Sequence, residues 1–308
     1  MINYQHDHLE IREAIRKLCS NFLNTYWQTC DREKKYPYEF VSALTKEGYL
    51  SALIPEKYGG LGLPISAGAA ILEEIHRSGG NAGACHAQMY TMGTLLKHGL
   101  EKQKNNFLPK IASGELRLQA FGVTEPNSGT DTLSLKTFAK RIDNNFIING
   151  QKIWTSRAEH TDLMLLLART SLRDETSKKT EGLSVFLVDI RELIGNSITI
   201  KPISTMMNHS TTEVFFDNVV VSAENLIGQE GEGFKYILSG MNAERILIAA
   251  ECIGDAKWFI EKAVQYSKDR KVFGRAIGQN QGIQFPIARA YSQMRSAEFT
   301  LKHAIKLY

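Results

Sequence analysis

Residues 183–190 read LSVFLVDI, a segment rich in apolar and β-branched residues that is typical of a β-strand. Similar segments recur at roughly regular spacing through the middle of the chain, separated by Gly, Asn, Asp and Ser. They are LQAFGV (118–123), FAKRI (138–142), NFIING (145–150), KIWTS (152–156), LMLLLAR (163–169), ITIKPI (198–203) and TEVFFDNVVV (212–221). We predict a run of strands, with hairpin turns at residues 143–145 and at Asn149-Gly150.

The regions on either side of these strands carry helical periodicity instead. Apolar residues recur at helical spacing over residues 5–22, 40–44, 69–75, 89–96, 234–268 and 281–308. Segregated helices, strands and helices predict an α+β multidomain protein rather than alternating βα units. The predicted domains are an N-terminal all-α domain (1–117), a middle β domain (118–228) and a C-terminal α-helical domain (229–308). The dinucleotide-binding pattern Gly-x-Gly-x-x-Gly is absent from the sequence.

Composition limits the classes of function. The chain has 308 residues, 43% of them hydrophobic and 23% charged, which is typical of a globular protein and excludes disorder or a collagen-like structure. Its net charge of +4 is mild and includes no long basic run, so a small anionic ligand is expected rather than nucleic acid. The four cysteines lack disulfide or zinc-ligand spacing, and the N-terminus lacks a signal-like apolar stretch. We expect a cytoplasmic protein with no metal and no membrane span.

Two segments of the strand region could bind a cofactor. Residues 122–131 (GVTEPNSGTD), here called the Gly122 loop, offer backbone N–H groups and hydroxyls to an oxygen-rich ligand such as a phosphate or a flavin edge. Residues 152–156 (KIWTS), here called the Trp154 segment, place an aromatic ring before two hydroxyls, so Trp154 could stack on a planar cofactor. The structural alternatives are a polar surface loop and a half-buried strand Trp.

Two further segments lie in the helical C-terminal region. Glu244-Arg245 falls within the apolar helical stretch 241–253, where burial would favour a general base for carbon acids and Arg245 could meet a phosphate. A solvated pair on a helix surface is the alternative. Residues 266–281 surround a Gly turn with Arg270, Phe273 and Gln281, which are a charge, a stacking face and an amide. A plain connection between helices is the alternative there.

Taken together and in order, these motifs resemble the acyl-CoA dehydrogenase family. The resemblance spans the whole chain and implies an α-domain, a middle antiparallel β-barrel-like domain and a C-terminal four-helix bundle. The motifs that carry it are FGVTEPNSGTD (121–131), NGQKIWTS (149–156), TEVFFDNVVV (212–221), GEGF (231–234), Glu244-Arg245, RKVFG (270–274) and Gln281.

The resemblance implies roles for residues at matching positions, with FAD as cofactor and an acyl-CoA as substrate. Trp154 would cover one face of the flavin ring and Ser156 would hydrogen-bond to flavin N5, while the groups near residue 270 would reach the FAD of a neighbouring subunit. This sharing implies a homodimer or homotetramer. The implied cofactor-binding residues are Phe121, Val123, Thr124, Trp154, Thr155, Ser156, Arg270, Phe273, Asn280 and Gln281, and the implied substrate-binding residues are Thr130, Asn242 and Arg245.

The implied reaction is α,β-dehydrogenation of an acyl-CoA thioester to a trans-2-enoyl-CoA, as in fatty acid β-oxidation, with an electron-transfer flavoprotein as acceptor. Most family members carry the base Glu late in the C-terminal domain, whereas the isovaleryl and long-chain members carry it directly before an Arg at the start of the bundle. Glu244-Arg245 matches the second arrangement, so Glu244 is the predicted base; a base beyond Tyr308 is the alternative. The pattern does not predict acyl chain length or branching.

Other functions on the same fold stay open at this level. An acyl-CoA oxidase or a nitroalkane oxidase would share these loops. Because Tyr308 falls inside a helical pattern and only two long helices follow the strands, we also expect a bundle that lacks its C-terminal part. Such a chain, expressed alone, is expected to be flavin-poor, association-prone and at best weakly active, and an inactive truncated remnant that binds a flavin or CoA is a further alternative. The apolar faces expected to lie uncovered are marked by Ile246, Ile253, Ile283 and Ile287.

Overall fold

The computed structural model describes residues 8–308, and within them the predicted helical regions are confirmed. Residues 5–7 of the first predicted helix lie outside the described residues. No helix in the described part of the chain is long and apolar enough to cross a lipid bilayer. The helices are α1 (Leu9–Cys19), α2 (Asn24–Arg32), α3 (Tyr38–Lys46), α4 (Ile65–Arg77), α5 (Gly83–His98), α6 (Glu101–Ser113), α7 (Gly233–Asp269) and α8 (Gln281–Leu307).

The predicted strands follow α6 and precede α7 in the sequence, and they form one large sheet. The α+β fold is therefore confirmed. The strands are β1 (Leu118–Gly122), β2 (Phe138–Ile142), β3 (Asn145–Ser156), β4 (Leu163–Arg169), β5 (Leu183–Asp189), β6 (Ile198–Pro202), β7 (Thr211–Ser222), β8 (Leu226–Ile227), β9 (Lys271–Val272) and β10 (Arg275–Ala276). The sheet order is β6-β7-β3-β2-β4-β5-β8, with β1 beside β4, whereas β9 and β10 form a separate hairpin. Pairing is antiparallel except that β1 and β2 meet β4 in parallel, which departs from a purely antiparallel domain.

One of the two predicted hairpin turns is wrong. The turn between β2 and β3 is present, and Asp143 adopts the left-handed conformation there with φ 52°. Asn149-Gly150, in contrast, lies inside β3, which continues for 12 residues and pairs with both β2 and β7. The register against β7 shifts between Ile148 and Gly150, so the glycine serves a β-bulge rather than a turn.

The chain divides into two compact units, of which one contains the large sheet. This sheet unit comprises residues 28–63 and 83–244. All seven residues of β4 are buried, and they alternate between two apolar clusters, with Leu163, Leu165 and Leu167 in one and Met164 and Leu166 in the other. Both faces of the strand are therefore covered, which explains why its sequence is a continuous apolar run.

Among the described residues, the second compact unit is helical and combines residues 8–27, 64–82 and 245–308. Its apolar core joins Ala69 of α4 to α7 and α8. Ile246 and Ile253 are only 7% and 5% exposed in this core, so the expectation that they mark uncovered faces is wrong. They are covered because Ala69, Met294 and Leu301 lie in the same cluster. The domain boundaries inferred from the sequence stay predictions.

Candidate functional site

The Gly122 loop and the Trp154 segment lie side by side in the sheet unit. The backbone N–H of Ile153 donates to the carbonyl of Thr124 at 2.9 Å. One residue earlier, Lys152 Nζ donates to the carbonyl of Val123 at 3.0 Å. The structure therefore places Val123 and Thr124 of the loop directly beside the strand end that carries Trp154, Thr155 and Ser156.

Trp154 is held in an unusual conformation that exposes its ring. Its φ of 61° places it in the left-handed region, and the register between β3 and β7 shifts between Lys152 and Thr155. A bulky residue in this region costs of order 1–3 kcal/mol, which the surrounding pairing must offset. The Trp154 side chain is 57% exposed, whereas both Lys152 and Thr155 are buried. It presents a flat aromatic face at the surface, so the alternative of a half-buried strand Trp is wrong.

The other predicted binding positions of the loop and strand end differ in exposure. Phe121, Val123, Thr124 and Ser156 are partly buried, and Thr130 is exposed. Thr155 is 1% exposed, and its Oγ1 has no hydrogen-bond partner in the part of the chain that the structure describes.

The backbone at the tip of the loop is open as well, since a Cβ added at Gly129 would meet no atom within 4 Å. An exposed aromatic ring beside hydroxyls and open loop backbone fits a planar, oxygen-rich group such as a flavin. No cluster of three or more His, Cys, Asp or Glu side chains suited to a metal ion occurs among residues 8–308.

A buried ion pair beneath this surface was not predicted from the sequence. Lys152 is fully buried, and its Nζ donates to Glu125 Oε1 at 2.8 Å. The other donors to the Glu125 carboxylate are the backbone N–H groups of Lys136 at 2.6 Å and Thr137 at 2.9 Å. Polar residues such as Gln151 and Thr155 also lie in β3, so a Lys there gave no signal of burial, and the Gly150 bulge hides which face of the strand it occupies.

Burial and charge act in opposite directions on this pair. Desolvation lowers the pKa of Lys152 to about 8, although the charge of Glu125 opposes the shift. Burial alone would raise the pKa of Glu125, but the Lys152 charge and the hydrogen bonds to the carboxylate outweigh it and hold this pKa below its usual value. Each charge therefore favours the ionised form of its partner.

Arg169 of β4 binds the chain between the Gly122 loop and β2, at its end near β2. This side chain is 5% exposed, and its guanidinium donates to the carbonyls of Leu133 at 2.7 Å and Leu135 at 3.3 Å. Its backbone N–H donates to the carbonyl of Thr137 at 2.8 Å. The segment from the Gly122 loop to β2 is thus hydrogen-bonded to two different strands, to β3 through Lys152 and to β4 through Arg169.

The predicted base lies on α7, where the helix approaches α5 closely. Glu244 is partly buried, whereas Asn242 and Arg245 are exposed. One turn before Glu244, a Cβ added at Gly240 would lie only 2.5 Å from Oγ1 of Thr94 on α5.

The same helix α5 also contacts the start of the Gly122 loop. The ring of Tyr90 on α5 lies 6.1 Å, centroid to centroid, from the ring of Phe121 in β1. Helix α5 therefore contacts both the turn of α7 that precedes Glu244 and the strand that leads into the loop.

The remaining predicted cofactor positions lie in the helical unit, around the β9–β10 hairpin. Phe273 is at the tip, with φ 51° and a fully exposed ring, and Arg270 and Gln281 are exposed. The side chain of Asn280 is engaged locally, because its Oδ1 accepts from Arg275 at 2.8 Å and its Nδ2 donates to the carbonyl of Ile277 at 3.1 Å.

Three family models match the chain in succession. They describe the N-terminal domain of acyl-CoA dehydrogenase over residues 5–115, its middle domain over 120–219 and its C-terminal domain over 231–308. With the fold and the loop arrangement, these matches define a flavin-dependent oxidoreductase of the α-β-α type. The chain belongs to the acyl-CoA dehydrogenase family.

Individual relatives agree with this assignment. An acyl-CoA dehydrogenase of Bacillus subtilis (strain 168) is 31% identical over 301 residues, which cover 97% of this chain and 78% of the relative. The structure of butyryl-CoA dehydrogenase from Megasphaera elsdenii superposes with a TM-score of 0.89 at 28% identity, covering 98% of this chain and 79% of that one.

A further similar chain comes from a structure described as the electron transferring flavoprotein of Acidaminococcus fermentans. It superposes with a TM-score of 0.91 at 29% identity and covers 100% of this chain and 80% of that one.

Proposed function

We propose that this protein dehydrogenates an acyl-CoA thioester to a trans-2-enoyl-CoA, with Glu244 as the base that removes the α-proton and FAD as the cofactor. The observation that carries the proposal is the hydrogen-bonded junction of the Gly122 loop with the Trp154 segment, which presents an exposed Trp ring beside hydroxyls. Bound FAD would supply the acceptor for the β-hydride, at its N5 atom.

The residues of the sheet unit would bind and orient the reactants. Trp154 would lie against one face of the flavin ring, Ser156 and Thr124 would hydrogen-bond to its edge, and Phe121 and Val123 would line the same surface. Thr155 is buried and its carbonyl already accepts from Thr212, so it would take part only through its Oγ1, which has no hydrogen-bond partner in the described part of the chain. Thr130 at the exposed end of the loop would face the CoA moiety.

The base must act on a carbon acid that an unaided carboxylate ionises poorly. Hydrogen bonds to the thioester oxygen would stabilise the developing enolate, and a general base in contact with the α-proton contributes about 100-fold or more. The partial burial of Glu244 on α7 suits this role. Arg245 and Asn242, both exposed on the same turn, would approach the CoA portion, since a guanidinium binds phosphate well.

Residues of the helical unit would bind the adenosine diphosphate part of an FAD bound by a neighbouring subunit, in a homodimer or homotetramer. Arg270 offers a charge for a phosphate, while Phe273 and Gln281 offer a ring and an amide. Asn280 already accepts from Arg275 and donates to Ile277, and its remaining N–H would be available to the cofactor.

The electron acceptor and the location in the cell belong to the same proposal. We place the enzyme in β-oxidation in the cytoplasm, where its four free cysteines would stay reduced. An electron-transfer flavoprotein is the proposed acceptor, supported by the similarity to a chain from a structure described under that name.

The test is anaerobic flavin reduction by a panel of straight and branched acyl-CoA substrates. The wild-type flavin should bleach with at least one of them, and Glu244→Gln should slow bleaching by at least about 100-fold while flavin and substrate still bind. Glu261→Gln, an exposed change on the same helix, is the matched control.

The outcomes of this test separate the alternatives. Unchanged bleaching in Glu244→Gln would assign the proton abstraction to another carboxylate. Rapid hydrogen peroxide release in air would identify an oxidase. Failure of every acyl-CoA to bleach bound flavin would contradict the proposed reaction itself.

A further inference from the structure

The chemistry proposed above makes no use of the buried Lys152, although this residue lies two positions before Trp154. Its ammonium group is fully buried, and its partner Glu125 is only 7% exposed. Taking two charges out of water is costly, and a pair of well-packed apolar residues often serves stability equally well. The pair therefore calls for an explanation other than stability alone.

The hydrogen bonds of the pair connect three separate pieces of backbone. Lys152 Nζ, carried by β3, donates to the carbonyl of Val123 at the start of the Gly122 loop and to the Glu125 carboxylate within it. The carboxylate in turn accepts from the N–H groups of Lys136 and Thr137, where the chain enters β2. A single ammonium group thereby links β3 to the loop, and the carboxylate links the loop to β2.

We infer that Lys152 is a positioning residue that acts through Glu125 to hold the Gly122 loop against the Trp154 segment, so that together they form the flavin-binding surface. The inference rests on the proposed function and deepens it. Lys suits this task because it combines a point charge with three N–H donors, two of which are used here. A neutral side chain of similar length would fill the space but would not link the loop to the strand.

A purely structural role and a positioning role differ in what happens when both charges are removed together. Lys152→Met leaves the Glu125 carboxylate buried without its cation, and Glu125→Gln leaves the ammonium without its anion, so each single change is expected to lower the unfolding temperature. The double variant Lys152→Met/Glu125→Gln leaves no unpaired charge. Its single amide oxygen can replace only one of the two carboxylate oxygens that accept from Lys136 and Thr137 in the wild type. Its stability should therefore recover in part, while the link from β3 to the loop stays broken.

The experiment compares wild type, both single variants and the double variant. The measurements are the thermal unfolding midpoint, the FAD dissociation constant and the hydrogen exchange of peptides covering residues 122–137. The matched control is Lys102→Met/Glu224→Gln, which removes an exposed ion pair of the same unit.

We expect the double variant to unfold closer to the wild-type temperature than either single variant. Its FAD dissociation constant should still be raised at least about 10-fold, which corresponds to about 1.4 kcal/mol. Faster exchange should be confined to residues 122–137, with β4 and β5 unchanged, and the control should match wild type in all three measurements.

Recovery of FAD affinity and exchange together with stability would overturn the inference, because the pair would then serve folding only. A wild-type protein that binds no FAD would overturn the proposed function, and with it the cofactor part of this inference. Hydrogen exchange in the unliganded chain would still report whether Lys152 holds the loop, so the two failures are distinguishable.

Discussion

Gly240→Ala should impair the proposed base without touching the flavin surface. Gly240 is buried where α7 meets α5, and an added Cβ would lie 2.5 Å from Oγ1 of Thr94 and 3.6 Å from the carbonyl oxygen of Tyr90. Ordinary van der Waals contact begins at 3.4 Å. Either Thr94 must move or α7 must shift by roughly 1 Å, a displacement that can cost a reaction about 100-fold. Glu244 lies one turn further along the same helix face, so it would move with the helix.

Two opposing contributions set the effect on stability. Overpacking a buried contact costs about 1–3 kcal/mol, whereas replacing Gly by Ala inside a helix gains roughly 0.5–1 kcal/mol. The free energy of unfolding should therefore fall by at most about 2.5 kcal/mol, and the protein should stay folded. Stopped-flow flavin reduction by saturating acyl-CoA measures the catalytic effect, and we expect the rate to fall by between about 10-fold and about 100-fold with FAD affinity unchanged.

The steric cause can be checked by relieving the contact from the other side. Thr94→Ala removes the Oγ1 atom, so the double variant Gly240→Ala/Thr94→Ala should regain most of the lost rate. Gly93→Ala is the matched control, because a Cβ there would meet no atom within 4 Å. Wild-type kinetics in Gly240→Ala, or a double variant no faster than the single one, would refute the argument.

Two further predictions concern stability. Lys257→Met should lower the free energy of unfolding by about 1.5–3 kcal/mol, because it removes the charged hydrogen bonds to the buried carboxylates of Glu73 and Glu298, which keep Arg12 and Arg295 as partners. Chemical denaturation measures the loss, with exposed Lys268→Met as control, and a loss below about 0.5 kcal/mol would contradict the prediction. Burial and then the nearby Arg157 charge lower the pKa of His160, so the unfolded chain takes up this proton at a higher pH than the folded one. The stability contributed by His160 is accordingly complete above about pH 6.5 and decreases as the pH falls through the window below it. His160→Gln should reduce the drop in unfolding temperature between neutral and acidic buffer, and an unchanged drop would contradict this assignment.

The sequence by itself indicated most of the helices and strands, although α2, α6 and the short strands β8, β9 and β10 lie outside the predicted segments. Periods of 3.6 and 2 are local properties, so the helical windows and the strand segments could be predicted before any contact was known. The same holds for the segregation of helices and strands and for the two candidate cofactor segments, whose composition carries the chemistry. Four of the predicted positions, Val123, Thr124, Thr155 and Ser156, indeed flank the junction between loop and strand.

The strand register and the burial of apolar residues depended instead on contacts between residues that are far apart in the sequence. Asn149-Gly150 has the composition of a turn, but β3 pairs on both sides and absorbs the glycine as a bulge. Ile246 and Ile253 are covered by helices from both ends of the sequence, which no local pattern indicates.

The site shows the same division. The N–H groups and hydroxyls of the Gly122 loop and the aromatic ring of Trp154 could be recognised in the sequence. Only the tertiary structure decided that a register shift exposes the Trp ring and that Lys152 meets Glu125 beneath it. The type of each side chain is known from the sequence, whereas strand register and burial depend on residues that are distant in the chain. A one-residue bulge is enough to turn a side chain to the other face of a strand, and the favourable pairing that maintains the bulge lies in β7.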